Sequence, residues 1–263
     1  MKLINRILSI MLATLLLAGC SSNGSQVELG EHEIYLSLPA INDSASGEDE
    51  LGTPAAIGFV FSSFDEMRDF VTRGKYTDEE LRELNRLPKN AEGKVVAPNL
   101  DTMPTPSYPE HFVLDKVYWG GSSEYPNYEL NSNGIIAFVS HLPEERMLED
   151  LERTHFNPNP GKYGVEATES VTNANGGIPG TAYYSTNLGD EKIKSICYQF
   201  DAGDITYYVL ERYYTGEKEV PYFTKLWFSA ENKYIQITFH HSDNNVPLPQ
   251  LSIEEISQFG FKK

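Results

Sequence analysis

The strongest constraint on the fold lies in the second half of the chain, where turn chemistry recurs at 173–177, 189–190, 203–204, 215–216 and 231–232. Between these points run strand-length stretches rich in Ile, Val, Tyr, Phe and Thr, residue types that suit a pleated, half-buried surface. Strands joined by so few residues pair antiparallel. The spacing predicts a meander of about five strands. No strand–helix–strand alternation accompanies it, which argues against a doubly wound parallel sheet.

Side chains alternate across a strand, so both faces of this sheet can be read from the sequence. One face collects Ile196, Tyr198, Phe200, Ile205, Tyr207, Val209, Leu226, Phe228, Ile235, Ile237 and Phe239, and is the expected core. The other carries Tyr208, Phe223, Trp227 and Tyr234 among hydroxyls and amides, with Cys197, Lys225 and His240 beside them. Two accounts compete for this second face. In one, helices cover it and the aromatics are packing residues with their polar tips at the rim. In the other, part of it stays open as an amphipathic platform. On the open account Tyr208, Phe223, Trp227 and Tyr234 bind a ligand, and Trp227→Ala abolishes binding while leaving the fold intact.

The first half is less regular. Residues 33–38 read as a strand with Ile34, Leu36 and Leu38 on one face, 42–54 as an acidic solvated loop, and 57–61 as a short buried strand. Ser63 and Glu66 open a helix that runs to Arg73, and Thr77 and Glu80 repeat the device in a second helix that stops at Pro88. Five of the 15 prolines fall in 88–109, so that segment reads as an irregular connection, either a surface crossing or a hinge. Strands follow at 111–119 and 134–142, and Pro143 opens a helix through Thr154 with Met147, Leu148 and Leu151 inward. The expected fold class is α+β: a single domain over 32–263, mostly antiparallel sheet, with short helices packed on one side.

At the N-terminus, Lys2 and Arg6 precede an apolar run over 7–18 that ends in Leu17-Ala18-Gly19-Cys20. A positive segment before a short apolar one is an export signal, too short to span a bilayer as a helix. These residues resemble the lipobox of bacterial prolipoproteins. The resemblance covers only this stretch. It implies that 1–19 is a lipoprotein signal peptide, that Cys20 carries a diacylglycerol thioether, and that 20–31 is a flexible tether. The domain would then sit outside the cytoplasm, lipid-anchored to the cell membrane or outer membrane, where two acyl chains hold firmly and one would exchange.

Loss of Lys2 and Arg6 with the signal takes the formal charge from −17 to −19. So acidic a surface is not expected to bind nucleic acid, and it is repelled by anionic headgroups, so membrane contact rests on the lipid. With Cys20 acylated, Cys197 is left without a disulfide partner, no CxxC pair exists, and the sequence calls for no metal or cofactor. No GxSxG, HExxH, SxxK or phosphate-cradling glycine loop is present. His240 and His241 point to opposite faces of a strand and cannot share one ion. Cys197 and His240 do share a face, and a thiol beside an imidazole is how a cysteine nucleophile is activated.

Three readings of function follow. The first is a non-enzymatic binding role at the envelope, with an envelope protein, a peptide or a glycan as partner. The second is an envelope hydrolase or transferase that uses Cys197 with His240, or a carboxylate pair that the sequence does not single out. The third is a structural or sensory lipoprotein. The missing strand–helix–strand alternation argues against the two-lobed fold of a transporter's solute-binding lipoprotein.

Overall fold

The structure is a computed structural model that describes residues 26–29, 32–37, 58–87, 89–120, 124–154, 167–172, 176–186, 192–214, 221–243 and 246–262. The lipobox with Cys20 and the acidic stretch 42–54 lie outside these residues. The chain divides into two compact units, 1–58 with 70–97 and 59–69 with 98–263.

In the first unit β1 (Gln26–Leu29) pairs antiparallel with β2 (His32–Ser37), so a strand occupies part of the stretch read as a tether. Further along the chain come β3 (Phe59–Phe61) and α1 (Phe64–Thr72), which begins in the second unit and ends in the first. Ser63 Oγ accepts the Glu66 backbone N–H at 3.1 Å, and the Glu66 carboxylate accepts the Ser62 N–H at 2.7 Å. The predicted capping box is thus shifted by one residue on its return arm. Gly74, at φ +66°, supplies the left-handed residue just beyond the helix. The second helix, α2 (Asp78–Arg86), has the full capping box, with Thr77 and Glu80 satisfying each other's backbone N–H groups. Its Leu84 is fully buried, and Leu87 ends it in extended backbone before Pro88.

The second unit is built on one antiparallel sheet of ten strands. Its remaining elements are β4 (Pro106–Ser107), β5 (Val113–Trp119), β6 (Asn127–Ser132), β7 (Ile135–Leu142), α3 (Glu144–Thr154), β8 (Ala167–Thr172) and β9 (Pro179–Thr186). After these come β10 (Lys192–Ala202), β11 (Ile205–Tyr214), β12 (Pro221–Ala230), β13 (Lys233–His241), α4 (Ile253–Ile256) and β14 (Gly260–Phe261). The sheet order is β3-β5-β6-β7-β13-β12-β11-β10-β9-β8, and β14 pairs separately with β4. The meander is therefore six strands, β8 to β13, one more than the turn spacing predicts. The earlier β5-β6-β7 meander joins it through β7 and β13, with Val139 opposite Ile237. Two hairpins close on two-residue turns with both residues left-handed, Asn133-Gly134 (φ 50° and 87°) and Glu231-Asn232 (52° and 60°). That geometry matches the twist of antiparallel strands.

The alternation places most of the core as read, though Ile196, Phe200 and Ile205 are only half-buried. Tyr207, Val209, Leu226, Phe228, Ile235, Ile237 and Phe239 are all buried on one face. Two coverings meet them there. Met67 of α1 is fully buried, and its neighbour Phe64 sets its ring 5.6 Å from Tyr128. The C-terminal segment contributes Phe259, whose ring lies 5.3 Å from Phe239 and 5.6 Å from Phe112, and whose carbonyl accepts the Tyr207 hydroxyl at 2.9 Å.

The expectation of helices on one side only is corrected by α3, which packs on the opposite face. Met147 and Leu151 are buried there with Cys197, Leu210 and Trp227. Burial of each aliphatic side chain stabilises by about 1.5–3 kcal/mol, enough to fix a short helix on an apolar patch. Leu148, read as inward, is 55% exposed. The contact stripe of α3 is narrow, so residues at i and i+4 fill it and the next position turns out to solvent.

Candidate functional site

The four aromatics of the second face do not form an open platform. Trp227 is 1% exposed beneath α3, and its indole N–H donates to the Gln236 side-chain oxygen at 3.0 Å. Tyr208, Phe223 and Tyr234 are half-buried against the same cluster. The covering account applies at its centre, so Trp227→Ala removes core and does not leave the fold intact.

The register also separates the sulfur from the imidazole. Cys197 lies opposite Leu210, Leu210 opposite Lys225, and Lys225 opposite Thr238. Three strand spacings put Cys197 about 14 Å from β13, and His240 lies two residues further along that strand. Burial pushes the Cys197 thiol up to about 12, and only 4% of the residue is exposed. A thiol so far from its thiolate form is a small core residue and no nucleophile. Cys197 with His240 is not a catalytic pair. Among the described residues no three His, Cys, Asp or Glu side chains converge to hold a metal.

Two constellations remain. The first is a cleft of about 230 Å³ lined by Glu124, Tyr125, His141, Leu142, Pro143, Asn232, Lys233 and Tyr234. Pairing of Leu142 with Tyr234 across β7 and β13 joins two of these segments, and the third is held by the Tyr125 ring 5.2 Å from His141 and by the Pro126 carbonyl. On one side the β12–β13 turn presents Asn232, and it holds Glu231 in a left-handed conformation that costs a non-glycine residue about 1–2 kcal/mol. Lys233 places its ammonium 4.7 Å from the Tyr125 ring centre and donates to the Tyr125 hydroxyl, which holds the lysine proton more firmly than usual. The Tyr125 hydroxyl in turn reaches Glu124 at 3.2 Å. Tyr234 donates to Glu144, and that bond raises its phenol above the ordinary range.

His141 forms the buried wall of the cleft, with 7% of its surface exposed. Its Nδ1 lies 3.1 Å from the Pro126 carbonyl, so Nδ1 carries the proton and donates. Its Nε2 is shielded from solvent and has no hydrogen-bond partner among the described residues. Burial pulls the ring down to about 4, so it stays neutral at pH 7. The site therefore combines a neutral acceptor, two phenols, an amide, a lysine and two flanking carboxylates.

The second constellation sits on the α3 face. Arg212 and Phe223 are directly opposite in β11 and β12, and Lys225 is two residues from Phe223 on the same side. The Arg212 guanidinium lies 5.3 Å and the Lys225 ammonium 5.7 Å from the Phe223 ring centre, and Lys225 is also 5.8 Å from the Trp227 ring.

His141 carries no sequence motif, but a signal was present. It falls in phase with Ala137 and Val139 on the inward side of β7, and a histidine at a core position demands a polar reason. Comparisons with known protein families, with curated proteins and with solved structures found no match.

Proposed function

We propose that the chain is a lipid-anchored protein of the cell envelope with a non-enzymatic binding role. On this reading Cys20 carries the anchor and the sheet unit faces away from the cytoplasm. The cleft bounded by Tyr125, His141 and Tyr234 takes in one residue of a glycan or peptide partner. The observation that carries the reading is the convergence of polar and aromatic groups from three remote segments on one open cleft. Its volume, about 230 Å³, is below the usual range for a whole drug-sized ligand, about 300–1,000 Å³. It suits a single sugar unit or peptide side chain of something larger.

The chemistry is that of recognition. Asn232, Tyr125 and Tyr234 offer orienting hydrogen bonds, Lys233 offers a charge, and the neutral ring of His141 forms the inner wall. On this reading membrane association rests on the acyl chains of Cys20; among the described residues no helix is long and apolar enough to cross a membrane. Glycan and peptide arrays probed with the purified protein test the proposal. Specific binding that is lost in Tyr234→Ala and weakened in Lys233→Met is the expected result. No specific binding on either array, or binding that both variants retain, contradicts it.

A further inference from the structure

The group around Lys225 shares no residue with the lining of the cleft. In a chain with 38 acidic residues against 21 basic ones, a cation has many potential partners. Salt bridges are accordingly common on α3: Arg146 meets Glu149 at 3.0 Å and Asp150 at 3.7 Å, and Arg153 meets Glu149 at 3.8 Å. Arg212 and Lys225 are different. Among the described residues neither makes an ion pair or a side-chain hydrogen bond, and both lie beside aromatic rings. They are also diagonal neighbours on adjacent strands, a spacing of about 7–8 Å at which like charges repel.

Lys225 feels further positive charge from Arg146 and Arg153 of α3, opposed by the carboxylate of Asp150. Burial and these guanidinium groups press it toward losing its proton, while Asp150 resists. Asp150 is shared with Arg146 at 3.7 Å, so positive charge stays in excess around Phe223 and Trp227, and an anion seated there would be attracted.

We propose that Arg212 and Lys225 bind the oxyanion of a small soluble ligand, a carboxylate or a phosphate, with Phe223 forming an apolar floor beside it. Arg212 contributes a planar donor fork and Lys225 a point charge, the usual pairing for an oxyanion. Arg146 and Arg153 add attraction from the helix side. Phe223 favours an oxyanion borne on an apolar or planar group over a bare ion.

The test uses the full chain in detergent at constant ionic strength, with inorganic phosphate and benzoate as probes. Binding is read by calorimetry and by the shift in melting temperature. Saturable binding of at least one probe is expected, with affinity reduced roughly tenfold or more in Lys225→Met and in Arg212→Gln. Preference for benzoate assigns an aryl or alkyl carboxylate, and preference for phosphate assigns a phosphorylated ligand. Arg212 is exposed, so its variant reads the site even if Lys225→Met fails to fold. Absence of saturable binding by either probe, or equal binding in the wild type and Arg212→Gln, overturns the proposal.

Discussion

His141 makes stability depend on pH in a way that can be calculated. The ordinary histidine value is 6.5, and burial pulls this ring down to about 4 in the folded protein. The unfolded chain therefore binds a proton that the folded chain refuses. The stability involved is fully present above pH 6.5 and is lost as pH falls toward 4. At pH 4.5 the difference comes to about 2–3 kcal/mol, rising to about 3–4 kcal/mol well below pH 4. That is a large share of the 5–15 kcal/mol typical of a folded domain. Carboxylates titrate over the same range, so the effect has to be isolated by comparison. Urea unfolding of the wild type and of His141→Gln, measured at intervals from pH 7 to pH 4.5, gives the difference directly. The wild type should lose about 2–3 kcal/mol more than the variant over that interval. Parallel pH curves would refute the buried, neutral assignment of His141.

Other consequences concern the α3 face and the sheet. Trp227→Ala should destabilise by about 3–5 kcal/mol, because it empties the space under Met147 and Leu151 and leaves Gln236 without its indole donor; denaturant titration reads this, and a loss below 1 kcal/mol would count against the covering of that face. Cys197, buried with its thiol at about 12, should resist iodoacetamide at pH 8 in the native protein and react fully in urea, as read by mass spectrometry. A Cβ at Gly180 would stand 2.6 Å from the Cys197 backbone oxygen. Gly180→Ala should therefore push β9 from β10 and lower the melting temperature by several degrees, and an unchanged value would mean the strands yield freely.

Much of this architecture was legible because strand periodicity is local. The alternation through β11, β12 and β13 reports which side chains are apolar without reference to any partner, and Tyr207, Leu226 and Ile237 fall where it puts them. The partner that covers that face was not legible. Leu248, Leu251, Ile256 and Phe259 close one side from a segment with one short turn of helix and no sustained period. Leu148 shows the same limit from the other direction, since helical period marks a face but not its width.

The cleft was hidden for a topological reason. Its walls come from residues 124–125, 141–143 and 232–234, which meet only because β7 pairs with β13 across the whole length of the intervening meander. Nothing in either strand names the other as its neighbour. The Cys197–His240 idea failed on the same point, since a shared face says nothing of how many strands lie between.

The proposed binding role is tested most directly by native mass spectrometry on the protein with its N-terminal segment, gently extracted from the membranes of cells expressing it, beside Tyr234→Ala prepared in the same way. The account predicts a retained adduct of glycan or peptide mass on the wild type that is lost from the variant. A bare wild-type protein, or the same adduct on both, would contradict it.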